Sequence, residues 1–261
     1  MMKKPKTLRP VQPSAGIRID YQRRLKKLID KMHDSVIYWL SAAYRADTPH
    51  LARDASPATE LQAAVRRLAR RWIRNWNDAA PKLAKWFLLS VQQRSDSTLH
   101  RILKDHGFSV QFKMTPEMQD ASTAVVKANV ALIKSIPQKY FGQIEQIVMR
   151  SVMTGRDLQQ ATRDLQQQFG VARRRAELIA TDQNNKAHSA LQHIRQLQLG
   201  MTEGIWIHSG GGREPRPEHV KMDGKRYKLA EGMWDPHERK YVQPGELIRC
   251  RCVHKAVIPG L

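Results

Sequence analysis

Cysteine is scarce in this 261-residue chain, limited to Cys250 and Cys252, one position apart. Side chains at that spacing on a strand sit near the upper limit of bridging distance, so no disulfide scaffold is expected, and reduced thiols fit a cytosolic setting. Also absent is any run of about 18 apolar residues, so no membrane-crossing helix is expected. The amphipathic stretches carry general polar faces and give no reason to expect a membrane partner. Acids are few. The 24 Asp+Glu against 45 Lys+Arg leave a formal net charge of +21, which favours a polyanion as partner, nucleic acid first. The start, Met1 to Lys6, resembles the charged end of a signal peptide, but Thr7, Arg9, Pro10, Gln12 and Pro13 stand where its apolar core should begin. Export by that route is not expected, and the protein should be soluble. No repeat of about 20 to 50 residues is visible, which removes a solenoid from consideration.

Residues 1–16 are Lys- and Pro-rich without periodicity and read as a flexible basic arm. Residues 1–27 hold nine Lys/Arg against one acid, Asp20, which makes this end a polyanion contact or a solvated tail. From Ile17 to Tyr44, Leu25, Leu28, Ile29, Met32, Val36, Leu40 and Tyr44 recur at three- and four-residue steps, the signature of an amphipathic helix. A second helix is expected from Ser56-Pro57, with Ser56 as cap, Pro57 preset for the first position, and Leu61, Val65, Leu68, Trp72 and Trp76 on the buried face. Arg66, Arg67, Arg70, Arg71 and Arg74 crowd its other side. They form either a solvated face or a stripe that tracks phosphates.

Gly107 to Gln111 interrupts the pattern, and Thr115-Pro116-Glu117 restarts it. Pro137 and Gly155 punctuate the next stretch. A short helix is expected from Gly155 to a stop at Gly170, then a longer one from about Ala172 to Leu199 ending at Gly200. Beyond it come short extended pieces, Ile205-Trp206-Ile207 and Arg226 to Leu229, split by Gly and Pro turns. The expected fold class is therefore α+β, a mainly helical region over 17–154 followed by a small module with short strands over 155–261.

That last module concentrates the chemistry. Gly210-Gly211-Gly212 lacks the Gly-Lys-Ser/Thr ending of a nucleotide loop and reads as a flexible turn, and Tyr241 stands where a zinc-protease helix starting at His237-Glu238 needs its second His. Ser209 lacks the elbow of a hydrolase nucleophile. Cys250 and Cys252 with His208, His219, Asp223 or His254 offer an incomplete zinc set, since paired Cys-x-x-Cys knuckles are missing. The plainer expectation is no cofactor, with one Cys packed as a small hydrophobe and Arg251 pointing the other way into a network with acids such as Asp223. A metal-dependent DNA nuclease would use His219 as base or ligand, Asp223 for the ion, and Arg213 or Arg216 on the scissile phosphate.

The run Arg175-Ala176-Glu177-Leu178-Ile179-Ala180-Thr181-Asp182-Gln183-Asn184, then Trp206, Ser209, Arg213 or Arg216, His219, Asp223-Gly224, Pro244-Gly245-Glu246 and Cys250-Arg251-Cys252, resembles the phage Mu F-like head morphogenesis proteins. The resemblance covers about residues 155–261. It implies a minor capsid protein of tailed phages, not an enzyme, present in the virion head and in host cytoplasm during assembly. Its implied partners are portal protein, other head proteins and double-stranded DNA. Some relatives of this kind carry a toxin domain after this region, and none is expected in the few residues beyond Cys252. The family's His and Cys-x-Cys positions fall on His219, Cys250 and Cys252, and its Asp-Gly turn on Asp223-Gly224. The positive charge adds a physical reason for DNA binding, which should be independent of sequence and sensitive to salt.

Overall fold

The computed structural model describes residues 6–46, 57–154, 157–211 and 214–259. Four long helices come first: α1 (Ala15–Ala46), α2 (Pro57–Asp105), α3 (Pro116–Met153) and α4 (Leu158–Gln198). They are followed by β1 (Glu203–Ile207), a short α5 (Pro217–Met222), β2 (Arg226–Lys228), β3 (Met233–Asp235), β4 (Lys240–Val242) and β5 (Val253–Ala256). The fold class is α+β, as the sequence pattern indicates. No described helix is long and apolar enough to cross a membrane.

The chain forms two compact units, and they do not divide near residue 155. One comprises Ile19–Ala84 and Ala128–Ile179; the other comprises Met1–Arg18, Lys85–Lys127 and Ala180–Leu261. The boundaries fall inside the long helices, so a helix that reads as one element in sequence supplies residues to both units.

The described part of the first unit is almost wholly helical. On α1, Leu25, Ile29, Met32, Val36 and Leu40 are buried as their spacing demands, while Leu28 and Tyr44 are half-buried. Trp76 on α2 is fully buried and Trp72 half-buried. Ser56, the expected cap of α2, lies outside the described residues. Pro137 does not end a helix: it sits inside α3, between buried Ile136 and buried Tyr140. Gly170 likewise lies inside α4, where the expected pair of helices is one. The reason is packing. Ala161, Leu165, Ala172 and Ala176 make one continuous buried stripe across Gly170, and burying it outweighs the roughly 1 kcal/mol that a mid-helix glycine costs.

Several polar side chains inside this unit are paired. His33 has Nδ1 2.7 Å from the Tyr140 hydroxyl and Nε2 3.1 Å from Gln166 Oε1, and its ring stacks on Phe169 at 4.2 Å between centroids. Tyr21 donates its hydroxyl to Asn129 Oδ1 at 2.9 Å.

The second unit holds the strands. β1 is the middle of an antiparallel sheet in the order β2-β1-β5, with Gly204 opposite Tyr227 and Trp206 opposite His254; β3 and β4 form a separate antiparallel pair. The alternation along β1 turns Gly204 and Trp206 inward. A Cβ at Gly204 would lie 3.0 Å from Leu229 Cδ2 and 3.2 Å from the Tyr227 ring, which explains a glycine in mid-strand.

The expected flexible arm is largely part of this unit. Leu8 N–H donates to Ala256 O, Ile258 N–H donates to Lys6 O, Thr7 bridges Val257, and Leu8 and Val11 are buried. Two apolar side chains among the prolines and lysines, and a free edge on β5, decide this against solvation. Residues 1–5 of that arm lie outside the described residues.

Candidate functional site

Three side chains from two separate stretches of the sequence meet in the core of the second unit. His219 projects from α5, while Cys250 and Cys252 flank Arg251 just before β5, and all three are buried at 2 to 4 % exposure. His219 Nδ1 lies 3.4 Å from Cys250 Sγ and 3.7 Å from Cys252 Sγ. The far ring nitrogen, Nε2, lies 3.4 Å from Oδ2 of Asp235, a carboxylate only 1 % exposed. Asp235 Oδ1 is occupied by the backbone N–H groups of His237 and Glu238, whereas among the described residues neither Oδ2 nor His219 Nε2 has a hydrogen-bonding partner. The Trp206 ring stands edge-on to His219 at 5.1 Å.

The sulfurs differ in character. The paired Cys252 thiol holds Cys250 well below the usual thiol range, opposed by burial and assisted by His219 and by the Gly245 amide, which donates to Cys250 Sγ at 3.4 Å. The same pairing and burial push Cys252 up.

The loop that presents the cysteines is fastened to α4 by polar side chains. Asp182 Oδ1 accepts the N–H of Arg249, a residue with φ of 60°; Asn185 Nδ2 donates to Cys250 O at 2.8 Å; and Ser189 Oγ donates to Pro244 O. Gly245, at φ of 85°, passes so close that a Cβ would sit 3.3 Å from Ser189 Cβ, so a side chain there would be strained and crowded. Buried Asp182 and Asn185 and half-buried Ser189 follow helical spacing on one side of α4. They satisfy backbone groups that an apolar face would leave bare.

Further along the same helix, His188 Nε2 lies 2.9 Å from Val11 O and Nδ1 lies 3.4 Å from Ser95 Oγ, which accepts from Gln192. A neutral imidazole fits these partners. Burial pushes its pKa down to about 4, against the opposing effect of the Val11 carbonyl, from an ordinary 6.5. Between those values the unfolded chain binds a proton that the folded chain does not. Stability present above about pH 6.5 is therefore lost as pH falls, by about 1.4 kcal/mol per pH unit for this one group. Urea midpoints measured across that window should show the slope. His188→Gln should reduce it by that amount, and an unchanged slope would remove His188 as its source.

Of the residues singled out from sequence, His219, Cys250 and Cys252 come together and Asp223 does not join them. Asp223 Oδ1 accepts the N–H of His208 at 2.8 Å, closing the turn between β1 and α5. His254 is buried against Gln196 and also stands outside the group, while Arg251 is exposed and approaches Gly211. The expectation that one cysteine alone would turn inward is corrected: both do, because alternation about exposed Arg251 puts positions 250 and 252 on one side. Arg216 donates to Ile248 O at 3.1 Å; Arg213 and Gly212 lie outside the described residues. The arginines of α2, Arg66, Arg67, Arg70, Arg71 and Arg74, are all exposed, and Arg66 approaches Glu145 at 3.6 Å. Sequence reasoning missed Asp235 altogether, since nothing around Trp234-Asp235-Pro236 marks a carboxylate as buried.

Fold and site together define a helix-rich α+β protein whose turn-rich terminal part is organised around a buried His-Cys-Cys group. Residues 142–255, which span all of α4 and the whole site, match the family model described as Phage Mu protein F like protein. The family is one of structural phage head proteins. A curated relative, an uncharacterized protein of Haemophilus influenzae (strain ATCC 51907 / DSM 11121 / KW20 / Rd), is 24 % identical over 258 residues. The alignment takes in 96 % of this chain and 55 % of the relative, so the chain spans about half that protein's length. No solved structure matches.

Proposed function

We propose that this protein is a minor component of a tailed-phage head that acts by binding and not by catalysis, with portal protein, other head proteins and double-stranded DNA as partners. The observation that carries the reading is the Mu F-like stretch over residues 142–255, and the net charge of +21 supports its nucleic-acid side. A location in the virion head, reached from host cytoplasm during assembly, follows from the same reading. The nuclease alternative gains nothing from the site, because His219 is buried against Asp235 and the Asp223 carboxylate is engaged with the His208 amide.

Duplex contact is assigned to the guanidinium row of α2. Residues 66, 67, 70, 71 and 74 fall at helical steps on one exposed side, where they neutralise phosphates and release counterions without reading bases. Binding to unrelated duplexes should be equally tight and should weaken steeply with salt. Replacing all five arginines by glutamine should lower the slope of log K against log salt by about 4 to 5. Fluorescence anisotropy over a salt series reads this directly, and a slope unchanged in the five-fold variant would place the DNA surface elsewhere.

A further inference from the structure

We propose that His219, Cys250 and Cys252 form a zinc site, with His219 Nδ1 and the two sulfurs as ligands and Asp235 as the carboxylate that orients the imidazole through Nε2. The assignment is independent of the phage-head reading and rests on geometry. Zinc bonds of about 2.3 Å to sulfur and 2.0–2.1 Å to nitrogen, set at tetrahedral angles, require N···S edges of about 3.6 Å. The edges found are 3.4 and 3.7 Å, and the three ligand atoms all lie within 4.8 Å of one another. Two thiolates with an imidazole suit zinc better than a hard cation such as magnesium or calcium.

The second observation is the orphaned pair on the opposite side of the ring. A buried carboxylate oxygen and a buried ring nitrogen, 3.4 Å apart and otherwise without hydrogen-bonding partners among the described residues, are costly unless His219 carries its proton on Nε2 and directs it at Asp235. That tautomer leaves the Nδ1 lone pair facing the sulfurs. Carboxylates play this part behind metal-bound histidines because they fix the tautomer and strengthen the donor. Binding of aqueous zinc would break two S–H bonds and form two Zn–S bonds and one Zn–N bond, with two protons and the displaced waters released to solvent.

Among the described residues no fourth His, Cys, Asp or Glu reaches the group, so the last position falls to a donor from outside these side-chain types. The burial of all three ligands indicates a structural clasp. It would tie α5 to the 244–252 loop at the entry to β5, elements that are otherwise joined by few backbone bonds.

The test uses the full chain, produced in zinc-supplemented medium and purified under reducing conditions without chelator. About one zinc per chain by elemental analysis is expected. After exchange with cobalt(II), thiolate-to-cobalt charge-transfer absorption in the near ultraviolet and the strong visible bands of a tetrahedral ion are expected. Cys250→Ser/Cys252→Ser should abolish the charge-transfer band. Asp235→Asn should keep that band while weakening zinc affinity about 10- to 100-fold in a competition titration. The wild-type spectrum stands without either variant, should one of them fail to fold. Zinc well below one per chain with no cobalt uptake overturns the proposal. So does a cobalt spectrum lacking thiolate bands, or a Cys250–Cys252 disulfide in freshly prepared protein.

Discussion

Truncating Trp206 to alanine is expected to cost the sheet-bearing unit about 3–5 kcal/mol, enough to unfold a marginal domain. Trp206 is fully buried in the middle of β1, with sheet partners on both sides, and its ring meets His219 at 5.1 Å and Tyr227 at 6.0 Å between centroids. Removing the indole leaves a cavity lined by elements that β pairing holds in place, so the gap cannot close fully. It also takes away one wall of the space that contains His219 and the two cysteines. Trp206→Phe should recover roughly half the loss. Denaturant unfolding followed by circular dichroism checks this, together with hydrogen exchange at the β1 and β5 amides. A loss under about 1 kcal/mol would mean that β1 is not the core strand of this unit.

Arg195→Ala is expected to be comparably damaging, about 3–5 kcal/mol, for an electrostatic reason. The Arg195 side chain is 2 % exposed and grips Asp96 through two bonds, Nε to Oδ1 at 2.9 Å and Nη2 to Oδ2 at 2.8 Å. Its Nη1 donates to Lys113 O, and the guanidinium lies 5.0 Å from the centre of the Phe112 ring. Alanine strands the Asp96 carboxylate, which is 21 % exposed, and leaves a carbonyl unmet. Lysine should not rescue, because an ammonium cannot supply the planar two-bond fork. Arg195→Met combined with Asp96→Asn should recover part of the loss, which a double-mutant cycle would measure. Equal stability of the lysine variant and the unchanged protein would reduce the contact to simple charge pairing.

Much of the helical architecture was legible because it rests on local periodicity. The α1 stripe from Leu25 to Leu40, the restart at Pro116 and the change to strands after Gly200 are statements about side-chain spacing, and spacing survives in one dimension. The misjudged breaks at Pro137 and Gly170 have the opposite origin. Local propensity disfavours a helix at both positions, and only the packed partners of the neighbouring turns reverse that preference. The basic arm was misjudged for a related reason: Leu8 and Val11 are two isolated apolar residues in a polar context, and their burial depends on a strand nearly 250 positions away.

The site divides along the same line. His219, Cys250 and Cys252 stood out by residue type alone, and so did the excess of positive charge, since both are properties of composition. Which of the candidate ligands converge was a matter for the tertiary structure: it set Asp223 and His254 aside and brought in Asp235. It also gave the polar residues 182, 185 and 189 their purpose, because an inward-facing polar side chain on a helix has meaning only once the loop it bonds is present. Sequence by itself determined the helical periodicity, the positive charge and the chemically reactive side chains. The partners of each buried polar group, and therefore the form of the site, come from contacts between residues tens of positions apart, which no local pattern encodes.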